Sequence, residues 1–138
     1  MLTVTIQRLV SNAVYEDRPY THTVIARAIS GTEISMGANA GTLSDNDVGI
    51  TVAAEIDAQS MHPIKEVNND RSNIVPADHD SVDIYGRITS IDPSTQHPLE
   101  IQVDDGSIRA YVRDSSETEI GDHVFISRAQ LYLRSLDR

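Results

Sequence analysis

Apolar residues along this 138-residue chain recur every second position, and no stretch carries them at helical spacing over three turns. A pleated strand points successive side chains to opposite faces, so this period confines the chain to half-buried β-structure. Leu2, Val4 and Ile6 alternate with Thr3, Thr5 and Gln7. Residues 20–30, rich in Thr and β-branched side chains and preceded by Pro19, predict a second strand, and residues 33–36 a short third. Gly31, Gly37 and Gly41 punctuate this region as turns or bulges. Residues 48–56 predict a fourth strand, opened by the turn-forming Ser44, Asp45, Asn46 and Asp47. In the second half, residues 81–91 set Val82, Ile84 and Ile88 against Asp83, Tyr85, Arg87 and Thr89. Residues 99–103 and 108–112 are joined by the hairpin turn Asp104-Asp105-Gly106-Ser107, and residues 123–133 form a long closing strand.

The expected class is all-β: a small β-barrel, OB-like or related, as one barrel or two half-barrel repeats. Residues 58–80 interrupt the pattern. Asn, Asp and Pro dominate there, so a long connecting loop or arm is expected, with a short helical turn near Lys65. It separates an N-terminal β segment, 1–57, from an OB-like β segment, 81–138, unless the chain forms one domain overall. A weak repeat aligns Val24–Ser30 with Ile84–Ser90 at an offset of 60, and Glu33-Ile34 with Glu100-Ile101 at an offset of 67. Duplication and the shared grammar of two strands both account for it.

Charge bears on habitat. Aspartate and glutamate total 21 against 11 basic residues, Lys65 is the one lysine, and the net charge is −10. The composition resembles proteins of extremely halophilic archaea and their viruses, where salt screens self-repulsion. An ordinary acidic mesophilic protein is the alternative. Acidity opposes nucleic-acid binding by phosphate neutralisation, although stacking and hydrogen bonds remain open in molar salt.

Several chemistries lack their residues. There is no cysteine, hence no disulfide, thiolate zinc site or cysteine nucleophile. No phosphate loop and no Gly-x-Ser-x-Gly elbow occurs. His22, His62, His79, His97 and His123 are not spaced as metal pairs, and Asp78-His79-Asp80 reads more readily as a solvated turn than as a cation site. No apolar run reaches the length of a membrane helix, and the N-terminus lacks a signal segment. No enzyme, cofactor, metal or membrane association is expected.

Three features of residues 81–133 resemble an OB-fold of the archaeal single-strand-binding type: Gly86 within VDIYGRITSID, the Asp-Asp-Gly turn of LEIQVDDGSIRAYV, and the Gly-Asp that opens IGDHVFISRAQLYL. The glycine is expected to let its strand coil round the barrel. The resemblance implies a barrel that residues 81–133 leave incomplete unless the N-terminal half contributes. It also implies single-stranded nucleic acid as a candidate partner.

Strand alternation places Tyr85, Arg87, Arg109, Tyr111 and Arg113 on one outer wall if the two strands are neighbours. Tyrosine and arginine are enriched at protein interfaces and also stack on bases. Surface ion pairs with Asp83, Asp104, Asp105 and Asp114 are the bland alternative. The expectation is a non-enzymatic assembly subunit of a halophilic archaeal virus particle, at the capsid surface, the head–tail joint or the tail. It would lie in the virion or the host cytoplasm and contact copies of itself and other assembly proteins. Residues 2–10 could pair across subunits and residues 58–80 could reach a neighbour. The alternative is an OB module binding single-stranded nucleic acid.

Overall fold

The computed structural model describes residues 1–15, 18–39, 41–78, 81–94, 98–104, 106–113 and 118–138, with side chains described outside 11–21. The strands are β1 Leu2–Tyr15, β2 Arg18–Ala28, β3 Glu33–Asn39, β4 Thr51–Ser60, β5 Lys65–Glu66, β6 Asn73–Pro76, β7 Val82–Ile91, β8 Leu99–Val103, β9 Gly106–Val112 and β10 His123–Asp137. A 3-10 turn at Asp45–Asp47 precedes β4. The chain is all-β and barrel-like, and the ten strands among the described residues are joined in one sheet. Among the described residues, no helix is long and apolar enough to cross a membrane.

The pairings close two rings that share two strands. The antiparallel meander β1–β2–β3 is closed by β10, parallel to β3, and by β4, antiparallel to both β10 and β1. The meander β7–β8–β9 is closed by β4, parallel to β9, and by β10, antiparallel to β4 and β7. The second half is therefore completed by β4 of the first, and the first by β10 of the second. Residues 81–133 alone lack one wall.

The two units are related by an internal two-fold. Met36 pairs with Val24 and Leu131, while Ala110 pairs with Leu99 and Ala58. The inward residues of β1, Leu2, Val4 and Ile6, correspond to Ile84, Gly86 and Ile88 of β7, and all six are buried. Ile6 exchanges backbone hydrogen bonds with Gly49 and Ile50, and Ile88 does so with Gly121 and Asp122. Gly49 and Gly121 share the same left-handed conformation, φ 93° and 98°. The axis passes through the paired residues Ala58 and Leu131, where β4 and β10 cross between the rings. The weak alignment seen in the sequence is out of step by one strand: it matches β2 to β7 and β3 to β8, whereas the structure matches β2 to β8 and β3 to β9. Short alternating strands align in several registers, and only the pairing selects one.

Each ring is filled by side chains. Leu2, Ile6, Ile34 and Met36 are sealed in the first, and Ile84, Ile88, Leu99, Ile101 and Ile108 in the second, all at 2% exposure or less. Each such burial stabilises by about 1.5–3 kcal/mol. Alanines at 26, 54, 58 and 110 admit the close approach of facing strands.

Residues 58–80 differ from the expected loop. Residues 58–60 finish β4. Lys65 and Glu66 form a strand against Phe125 and Val124 instead of a helical turn, and Asn73–Pro76 pairs with the start of β7. The segment thus lies against its own chain, drawn there by unpaired edges of β10 and β7 that proximity patterns do not reveal. β1 also differs from an open edge over residues 2–10. Leu2–Thr5 pairs with β4, Val4 and Thr5 pair with β2 as well, and beyond Ile6 the edge away from β2 lacks a strand among the described residues.

Candidate functional site

Alternation places Tyr85, Arg87, Arg109 and Tyr111 outward, because their inward neighbours Ile84, Gly86, Ile88, Ile108 and Ala110 are buried, and Arg113 is exposed one residue past β9. They do not form one contiguous wall, because β8 lies between β7 and β9. The hairpin makes β8 and β9 neighbours and the preceding connection makes β7 and β8 neighbours, so β7 and β9 cannot touch. The five divide into three environments.

Tyr85 is paired across β7 with Asn73 of β6 and Phe125 of β10. Its ring lies 4.8 Å from that of Phe125, tilted by 37°, and the Arg71 guanidinium sits 3.9 Å above it. This half-buried cation–π cluster occupies the tyrosine face within the chain. Arg87 is exposed, and its Nη2 donates to Gln102 Oε1 at 3.1 Å.

Arg109 projects between Glu100 and Asp57, its cross-strand partners on β8 and β4. Its guanidinium is held above the ordinary value, first by hydrogen bonding to Tyr111 and further by Asp57 and Glu100. Burial pushes the Asp57 carboxyl up, against the pull of Arg134 and Arg109. Arg134 Nε stands 3.5 Å from Asp57 Oδ2, while Asp57 Oδ1 is buried without a partner. The Met1 ammonium donates to Ser107 Oγ at 3.0 Å, and Ser107 Oγ donates to Glu100 Oε1 at 2.7 Å. This network fixes the start of β1 over the turn into β9.

Tyr111 and Arg113 open onto a groove of about 640 Å³ with Met61, His62, Arg128 and Gln130. Its floor is the parallel β4–β9 ladder, and its far wall is the bulge in β10 where Arg128 adopts φ 51°. The Arg128 backbone N–H donates to Asp83 Oδ1 at 3.0 Å, which holds the bulge to β7. A second groove of about 430 Å³ lies at the symmetry-related β10–β3 ladder, with Tyr132 over Gly37 and the buried His22. His22 Nδ1 has no hydrogen-bond partner.

Among the described residues, the ion pairs are Arg134–Asp57 and Arg138–Asp47, and neither includes one of the five wall residues. Asp105 and Asp114 lie outside the described residues, as do His79, Asp80 and His97. Among the described residues, no group of three or more His, Asp or Glu side chains is placed to hold a metal ion. Arg71, Phe125, Arg128, Met61 and His62 join the site from the expected arm and the closing strand, where alternation did not mark them as its members. The Arg128 bulge follows no turn signal in Ser127-Arg128-Ala129. Comparison with protein-family models, curated proteins and solved structures gives no match to this chain.

Proposed function

We propose that this chain is a non-enzymatic assembly subunit of a larger complex, and that the complex is the particle of a halophilic archaeal virus. The β1–β2 hairpin supports this reading most. Its ladder runs from Val4↔Ala28 out to Tyr15↔Arg18, past the last pairing of β1 with β4 at Thr5↔Thr51. From residue 7 to 15 the outer edge of β1 is without a strand among the described residues, a length of about 30 Å. Main-chain hydrogen bonds to a neighbour's strand suit such an edge, and salt does not screen them as it screens charge. Val10, 44% exposed, marks this edge. Val10→Lys places a charge where a strand would dock. Sedimentation in molar salt should show the native chain assembling and the variant remaining smaller with unchanged circular dichroism. A native chain that stays monomeric at high concentration refutes the proposal.

A second reading, an OB-type module for single-stranded nucleic acid, draws support from Tyr111 beside Arg113 and Arg128 in the larger groove. Successive bases need successive free rings, and Tyr85 is already covered by Arg71. Titration with oligo-dT tests it. Tyr111→Ala should weaken binding by about 1–3 kcal/mol, and Tyr85→Ala by less.

A further inference from the structure

Two grooves of opposite charge lie along β10, and the segment from β4 to residue 70 borders both. The larger one carries Arg113, Arg128 and His62, beside Tyr111 and the 77%-exposed Met61, and no carboxylate among its described lining residues. In a chain with 21 acidic residues and 11 basic ones, that is a local reversal of sign. Neither arginine side chain is in an ion pair among the described residues. The other groove, of about 510 Å³, carries Glu66, Asp70 and Asp122 with Asn68 and Asn69. None of its three carboxylates is in an ion pair among the described residues. Lys65 adjoins this groove from the β5 pairing, and Arg71 is drawn away onto the Tyr85 ring.

We infer that the Arg113–Arg128 groove is an interaction surface for a second copy of this chain, and that it receives that copy's Glu66–Asp70 stretch. This rests on the assembly role proposed above and names its partner. The argument is charge complementarity: a surface of one sign everywhere repels its own copies, and the cationic groove is the place where that repulsion becomes attraction. The two grooves are close, since Asp122 and Arg128 stand six residues apart, about 20 Å along the strand. Two adjacent patches of opposite sign satisfy each other twice across a two-fold axis: each copy's cationic groove meets the other's acidic stretch. The exposed Met61 and the half-buried Tyr111 give the contact an apolar centre within a charged rim.

Charge reversal in both directions tests this. Arg113→Glu with Arg128→Glu makes both grooves negative, and Glu66→Lys with Asp70→Lys makes both positive. All four side chains are exposed, so circular dichroism should stay native. Should the Arg128 bulge prove sensitive, Arg113→Glu alone serves. At the lowest salt concentration at which circular dichroism remains native, sedimentation should show the native chain self-associating and each double variant weakened by about 100-fold. An equal mixture of the two variants should recover association, because every cross-contact is then between opposite charges. Three results overturn the inference: double variants that associate like the native chain, a mixture that stays monomeric, or oligo-dT binding that Arg113→Glu abolishes. A chain that assembles but ignores the reversals refutes the groove and leaves the assembly role standing. A chain monomeric under every condition refutes both.

Discussion

Gly86 is a position in the core where one added methyl group should be costly. It faces the interior of the second ring from the middle of β7, buried opposite Val124 of β10. Its need for glycine is spatial. It is not one of the glycines at positive φ, which are Gly31, Gly49 and Gly121. A Cβ there would run into Ile101 Cγ2, lie 2.5 Å from the Gln102 carbonyl oxygen and 3.2 Å from Val103 Cγ1. The Ile101 methyl can rotate aside, but the Gln102 carbonyl belongs to the β7–β8 ladder and moves only with its strand. Relieving the contact requires β8 to shift by about half an ångström or more, against Ile108 and Ala110 of β9 behind it. Overpacking of this kind costs about 1–3 kcal/mol, and the backbone obstacle puts Gly86→Ala at the upper end. For a domain of this size that lowers Tm by about 10 °C. Gly41 supplies the control: nothing lies within 4 Å of an added Cβ there. Gly41→Ala should change stability by less than about 0.5 kcal/mol, or raise it slightly through the unfolded chain. Thermal unfolding by circular dichroism, in matched salt, reads both. If Gly86→Ala melts within about 2 °C of the native chain, the packing account of this position is wrong.

Three further outcomes follow from the double ring. Gly49→Ala and Gly121→Ala should each cost about 1–2 kcal/mol, by similar amounts, because both hold a left-handed turn before a shared strand; a large inequality in urea unfolding would count against the two-fold. Fragments 1–68 and 69–138 should each lack stable β-structure, since each is missing one strand of its ring, and should regain it on mixing; a fragment that folds alone would contradict the shared walls. Burial raises the Asp57 pKa above 3.8, so the folded chain holds that proton more tightly than the unfolded one. This group's contribution to stability therefore declines as pH rises from about 4 through the raised folded pKa, and Asp57→Asn should flatten the slope of stability against pH there. An unchanged slope in urea titrations would refute the assignment.

Strand positions were legible because alternation is a local property. Leu99–Val103 matches its expected bounds, and the inward set Val82, Ile84 and Ile88 is buried as the alternation requires. The outward set was legible for the same reason, but its grouping was not. Tyr85 and Tyr111 are equivalent by alternation, yet one is covered by Arg71 and the other opens on a groove with Arg128. Gly86 was noticed in the sequence for the coiling of its strand, while the clash that an added Cβ would meet against the neighbouring β8 was not legible there.

By itself the sequence determined the all-β class, the inward and outward faces of each strand and the acidic surface. These depend on the pleat and on side-chain ionisation, which act over a few residues. Tertiary structure alone decided that β4 and β10 serve two rings, that the internal repeat runs β1 to β7 rather than β2 to β7, and which arginines share a groove. Strand pairing joins residues far apart in the chain through backbone groups that every residue carries alike. Many registers therefore satisfy the same alternating pattern, and only simultaneous closure of both rings selects one.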